Sequence, residues 1–156
     1  MHLVYSCGLD MLKDSIVQTP WVHKYIEDFM PLCLEIPRAK KHVSLILHKN
    51  RVLAVGTNHF KGHPIASSLG YRFSEQHSEL NALLKCKKRK NLVLVNLRFN
   101  SQKLMRMSRP CAKCLPWCCA LFDEIYYTSP DGVVRLLDKS PITKATVSVP
   151  PFIRHF

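Results

Sequence analysis

Apolar residues follow two different periods along this chain. In residues 42–60, "HVSLILHKNRVLAVGTNHF", two β-branched and aliphatic runs flank the polar "HKNR", which predicts an antiparallel hairpin ending at Gly56. A loop rich in Gly, His, Pro and Ser follows over 58–70. Leu80, Leu83 and Leu84 then recur at helical spacing, predicting a helix that runs to Lys88 with Ser74 as its N-cap. "NLVLVNLRFN" is too dense in Val and Leu for an exposed strand and reads as central in a sheet. A basic loop leads to "PCAKCLPWCCALF", a second helix opened by Pro110. "DEIYYTS" is then a strand and "PDG" a turn. Tyr126 and Tyr127 alternate on that strand, so one is expected to be buried and the other to face a substrate.

The two ends carry less signal. Residues 1–37 hold two apolar-periodic stretches, 9–17 and 21–34, broken by Pro20, Pro31 and Pro37, and short helical pieces are expected there. The tail, 133–156, is proline-spotted and unassigned. The order β, β, α, β, α, β predicts an α/β layered sheet with its reactive groups at helix starts.

Composition narrows the class. With 156 residues, 47% of them hydrophobic, the chain can bury one core and forms a single domain over 1–156. Seven cysteines leave an odd thiol, and the N-terminus lacks a basic n-region followed by an apolar run. No apolar run approaches the roughly 20 residues that cross a bilayer. A reduced, soluble, cytoplasmic protein without membrane association is expected.

Formal net charge is +12, and its distribution matters more. No Asp or Glu occurs over 80–122, where Lys85, Lys87, Lys88, Arg89, Lys90, Arg98, Lys103, Arg106, Arg109 and Lys113 all fall. Such a field attracts phosphate, on a nucleotide or along a single-stranded nucleic acid bound through 85–113. A solvated helix end and loop would carry the same charges.

Candidate chemistry lies at the two helix starts. Cys111 and Cys114 are three apart, which places both sulfurs on one helix face, where the positive helix N-terminus favours thiolate. A soft divalent ion such as Zn2+ takes two sulfurs and one imidazole, and three protein ligands leave a fourth position open, as in catalytic sites. His77 is the expected third ligand. Residues two apart on a helix point to nearly opposite sides, so Glu79 can share the site with His77 only where the metal lies off the helix end. There the carboxylate serves as proton shuttle, taking a proton from water and passing it to a leaving group. Pro116, a turn and a half beyond Pro110, demands a kink or a late start to the regular helix.

H-x-E followed by P-C-x-x-C, each opening a helix, is the signature of zinc-dependent nucleobase deaminases. "HSELNALL", "SRPCAKC" and "IYYTSPDG", preceded by "VGTNHFKGHP", resemble the cytidine and deoxycytidylate deaminase superfamily, and within it the small deaminase-like members of phages and large DNA viruses. The resemblance covers a core of about residues 40–132, leaving 1–37 as an N-terminal helical extension and 133–156 as a C-terminal segment. It implies a cytidine deaminase-like fold, a mixed β-sheet sandwiched by helices, and replacement of an exocyclic amine by a carbonyl oxygen. By position it implies His77, Cys111 and Cys114 as zinc ligands and Glu79 as catalytic acid/base. Asn58 would contact sugar or base, and the peptide groups near Ser78 and the carbonyl of Arg109 would face the pyrimidine edge. Histidine in the first motif resembles the deoxycytidylate, tRNA adenosine and nucleic-acid-editing branches; many relatives have alanine where this chain has Ser78.

Other side chains have plainer readings. Cys118 shares a helix face with Cys114 and would close the site as a fourth ligand, but buried cysteine acts as a small hydrophobe, and core packing is the expectation for Cys118, Cys119, Cys7, Cys33 and Cys86. Lys61 and His63, with His59 beside them, are placed for phosphate contact or for solvent. Trp117 is expected in the core. Three functions follow: a deaminase acting on a cytosine nucleotide, dCMP to dUMP first; a cytosine or adenine deaminase of single-stranded nucleic acid or tRNA; and an inactive zinc-stabilised nucleic-acid-binding module. Homo-oligomerisation stays open.

Overall fold

The computed structural model describes residues 13–37, 41–58, 63–71 and 76–141. The hairpin forms as β2 (His42–His48) and β3 (Arg51–Thr57), one residue past Gly56. Its two-residue turn places Lys49 and Asn50 at φ of 48° and 61°, the left-handed pair that matches strand twist in tight hairpins. β4 (Val93–Arg98) pairs antiparallel with β2 and parallel with β5 (Glu124–Thr128), so it is central as expected. β6 (Val134–Leu136) and β1 (Ser15–Val17) extend the other side, giving a six-stranded mixed sheet in the order β1-β6-β5-β4-β2-β3. The architecture is α/β, with helices flanking this sheet.

Alternation along the strands sends successive side chains to opposite faces. Val43, Leu45, Leu47, Val95, Leu97 and Tyr126 pack with Val22, Ile26 and Cys33 of α1 (Pro20–Glu35). On the other face Ile46, Leu94, Ile125 and Tyr127 pack with α3 (Ser78–Lys85) and α4 (Leu115–Leu121), beside the short α2 (Pro64–Ser68).

Several expectations are corrected. Residues 21–34 lie in one continuous helix that passes through Pro31. An internal proline costs about 3 kcal/mol, and burying Val22, Ile26 and Cys33 against the sheet outweighs that, at about 1.5–3 kcal/mol for a large aliphatic side chain. Residues 15–17 are the edge strand β1 and not the helical piece expected over 9–17, because pairing with β6 overrides the local periodicity; residues 9–12 lie outside the described ones. The loop over 58–70 contains α2, with Pro64 in its first turn and His63 Nδ1 accepting from the Ile65 N–H at 3.1 Å.

α3 begins at Ser78 with His77 at its N-cap position, not at the predicted Ser74, which lies outside the described residues. It ends at Lys85 rather than Lys88, where Cys86 turns extended and Arg89 reaches back to the carbonyl oxygens of Cys86 and Leu83. α4 starts at Leu115, not at Pro110. The late start puts Pro116 in the first turn, where no helical partner for its missing N–H is needed. Tyr126 and Tyr127 are both buried, on opposite faces. Among the described residues no helix is long and apolar enough to cross a membrane.

α3 sits unusually close to β3. A Cβ on Gly56 would lie 2.3 Å from both the Ala82 nitrogen and the Ser78 oxygen, so only glycine lets the helix start press onto the sheet.

Candidate metal centre

Two helix starts meet over the C-terminal half of β4. His77 has extended backbone angles, φ −69° and ψ 152°, so its side chain leaves α3 past the end of the helix. Cys114 stands at the N-cap position of α4, and Cys111 lies one turn earlier, its carbonyl oxygen accepting the Leu115 N–H at 2.8 Å. His77 Nδ1 is 3.5 Å from Cys111 Sγ and 3.4 Å from Cys114 Sγ. All three ligating atoms lie within 4.8 Å of one another and could hold a metal ion. With metal bonds of about 2.3 Å to sulfur and 2.0–2.1 Å to nitrogen, tetrahedral ligand atoms stand about 3.5–3.8 Å apart. The nitrogen-to-sulfur distances fit that spacing closely, and one imidazole with two sulfurs is a donor set suited to zinc.

Cys118 is outside this group. It lies within α4, fully buried in the core, and burial pushes its thiol well up.

Glu79, two residues into α3, is turned away from solvent, with 5% of its surface exposed. Its Oε2 lies 3.8 Å from Cys114 Sγ, and its Oε1 accepts from Asn96 Nδ2 at 2.8 Å. Burial raises the carboxyl above the usual range, opposed by smaller effects that include His77 and the Asn96 hydrogen bond. Asn96 Oδ1 in turn accepts from the Ser44 hydroxyl at 2.6 Å, and Ser44 Oγ lies 2.7 Å from Ser78 Oγ. A hydroxyl has one proton to give, so Ser44 donates to Asn96 and Ser78 donates to Ser44. The acceptors on its other side, Glu79 Oε1 and the Ser108 carbonyl oxygen 3.0 Å away, fix which way the Asn96 amide faces, with its NH2 toward both.

The two sulfurs differ. The hydrogen bond with Cys114, followed by that with His77, outweighs desolvation and brings Cys111 down to about 4, while burial pushes Cys114 well up. Cys111 is exposed and Cys114 is fully buried. Tyr71 lies against both kinds of ligand: its ring stacks on His77 with centroids 4.3 Å apart, and its hydroxyl is 2.7 Å from Cys114 Sγ.

The other predicted contacts are placed as follows. Asn58 Oδ1 accepts the His42 N–H at 2.9 Å, closing the open end of the hairpin. Ser78 is buried at the start of α3. The Arg109 side chain turns inward, donating from Nε to Asp14 Oδ2 at 3.0 Å. His63 caps α2; His59 and Lys61 lie outside the described residues. Trp117 is core, 2% exposed, and its Nε1 donates to the Tyr71 oxygen at 3.0 Å.

The acid-free run divides in space. Lys85, Lys87, Lys88, Arg89 and Lys90 lie at or beyond the C-terminal end of α3, with Lys88 Nζ 2.8 Å from His48 Nε2 at the hairpin tip. Arg109 and Lys113 stay beside the cysteines in sequence, Lys113 donating to the Gly70 oxygen at 2.6 Å.

Tyr71, Asn96, Ser44 and Asp14 escaped the sequence reading. Asn96 and Ser44 did leave a signal, as lone polar residues inside otherwise apolar strands, where an unpaired polar group is costly. Compared with models of known protein families and with curated proteins, the sequence matches none.

Proposed function

We propose that the protein is a zinc-dependent hydrolytic deaminase with a cytidine deaminase-like fold, converting the cytosine amine of a nucleotide to a carbonyl with release of ammonia, dCMP to dUMP being the first substrate to test. The observation that carries this reading is the convergence of His77, Cys111 and Cys114 beside a buried carboxyl, Glu79, that hydrogen-bonds to Asn96. His77 Nδ1 and the two sulfurs would hold the ion. Zinc, when bound, supplies Lewis acidity that makes water acidic enough to react near neutral pH, at a pKa of about 7.

The remaining work falls to the chain. A carboxyl raised by burial is suited to take up a proton and give it back, and in this reading Glu79 would accept one from the attacking water and deliver it to the amine that leaves. Asn96 keeps Oε1 occupied, which leaves Oε2, on the Cys114 side, as the atom that exchanges protons. Cys111 is exposed, so the centre is open to solvent on its side.

The division of the basic run favours a nucleotide over a long polymer, since Lys85, Lys87, Lys88 and Lys90 lie at the far end of α3 from the ligands. An inactive zinc module is disfavoured because Cys118 does not join the ligand group. The test is a panel of dCMP, cytidine, single-stranded DNA and tRNA with wild type and Glu79→Ala. Ammonia from dCMP, abolished in a variant that keeps its zinc, supports the proposal; turnover of the oligonucleotide alone moves the activity to nucleic acid.

A further inference from the structure

The structure assigns to Tyr71 the role of a positioning residue that donates its hydroxyl proton to the Cys114 sulfur and holds the plane of the His77 ring, setting the electron density that these two ligands offer a metal. The inference rests on the metal-centre reading above and extends it to a residue outside both motifs.

Three contacts meet at Tyr71. Its ring lies parallel to the His77 imidazole, at 12° and 4.3 Å between centroids, a stack that keeps the imidazole from rotating its Nδ1 away from the sulfurs. Its hydroxyl is 2.7 Å from Cys114 Sγ. Trp117 Nε1 is 3.0 Å from the same oxygen.

The third contact decides the direction of the second. An indole N–H only donates, so the Tyr71 oxygen is the acceptor toward Trp117 and its single proton is free for sulfur. A metal-bound cysteine is a thiolate and can only accept. The order is therefore Trp117 N–H to Tyr71 O–H to Cys114 sulfur, and each step strengthens the next because the donor is polarised by the bond it accepts.

Cys114 is fully buried, unlike Cys111. Water cannot solvate its negative charge, and the Tyr71 hydroxyl is the hydrogen-bond donor built beside it. Removing charge density from one sulfur leaves the metal more electron-poor. Partners of this kind, acting through a ligand, commonly alter metal affinity or activity 10- to 100-fold.

Cobalt(II) titration of the full chain, with chelator competition and absorption spectra, tests this without reference to turnover. Tyr71→Phe keeps the ring and loses only the donor. It should weaken cobalt binding about 10-fold and move the thiolate-to-cobalt charge-transfer band to lower energy, because a sulfur without its hydrogen bond gives up an electron more easily. Fluorotyrosine at position 71 keeps the fold and donates more strongly, so the band should move the opposite way; it also serves should Tyr71→Phe fail to fold. An unchanged affinity and band in Tyr71→Phe, or an unmoved band with fluorotyrosine, overturns the role assigned to Tyr71. Wild-type protein that binds no cobalt at all would instead defeat the metal centre itself.

Discussion

Asn96, in the middle of the central strand, donates from Nδ2 to Glu79 Oε1 at 2.8 Å, so the most buried part of the sheet aims a carboxyl that stands at the start of a helix. Ser44 and the Ser108 carbonyl occupy the rest of that amide. Replacing Asn96 with leucine strips Glu79 Oε1 and the Ser108 carbonyl of this donor and leaves the Ser44 hydroxyl with Ser78 alone, in a buried setting. The expected loss of stability is about 3 kcal/mol, read from urea denaturation. Ammonia release should fall about 10-fold or more, the loss of one hydrogen bond to a reacting group, while bound zinc, measured by metal analysis, stays at the wild-type level.

Gly56 tests the seating of α3. In Gly56→Ala the new methyl would meet the Ala82 nitrogen and Ser78 oxygen at 2.3 Å, and backbone atoms cannot move aside as a flexible side chain would. The helix start, with His77, must lift from β3. A loss of about 3 kcal/mol is expected, checked by thermal denaturation of the metal-free protein, and weaker zinc retention in a chelator assay should accompany it. An alanine variant as stable as wild type would mean that the helix does not lie this close.

Asp14 fastens the segment that leads into the cysteines. Its carboxylate accepts from Arg109 Nε at 3.0 Å, from the Tyr127 hydroxyl at 2.5 Å and from the Asp138 N–H at 2.8 Å. The side chains of Arg109 and Asp14 are 10% and 1% exposed. Asp14→Ala abandons a guanidinium in the interior, which costs about 3–5 kcal/mol. Urea denaturation should show that loss, and the double variant Asp14→Ala, Arg109→Met should recover a large part of it, since it removes both charges.

Asp131 gives a pH signature at the rim. Its carboxyl is held below the ordinary range by the Ser129 hydroxyl first and by Arg135 next. A pKa lowered on folding means that the folded state binds fewer protons than the unfolded chain, so the stabilisation is present above the unfolded value and disappears as pH falls through the folded one. The carboxylate is 46% exposed, so solvent screening keeps the effect small. Wild type should melt above Asp131→Asn at pH 7, and the gap should begin to shrink below about pH 4, near the unfolded carboxyl value, and close as pH falls through the lower folded one. A constant gap across that range would show that the ion pair contributes nothing that titrates.

Part of this arrangement is legible in the residues alone. The β2–β3 hairpin was, because its two runs and its turn lie within sixteen residues and the left-handed pair Lys49 and Asn50 needs no distant contact. β4 was too, because only a strand covered on both faces tolerates so many aliphatic side chains. Helix starts were less so. Ser74 and Pro110 are good local signals, but α3 begins at Ser78, where the helix meets the sheet, and α4 at Leu115, the late start that Pro116 alone had implied. Pro31 misled in the same way: the face of α1 that packs on the sheet overrides a local break.

Residue types and their spacing fixed which groups were candidates: an imidazole, two sulfurs three apart and a carboxyl two positions after the imidazole. Chemistry of that kind is a property of side chains and survives without a fold. Tertiary structure alone decided that His77 leaves the helix while Glu79 stays inside it, that Tyr71 and Asn96 back the site from other elements, and that one basic run becomes two regions. Each of those depends on pairings between residues far apart in the chain, and no local period encodes the distance at which two distant segments come to rest.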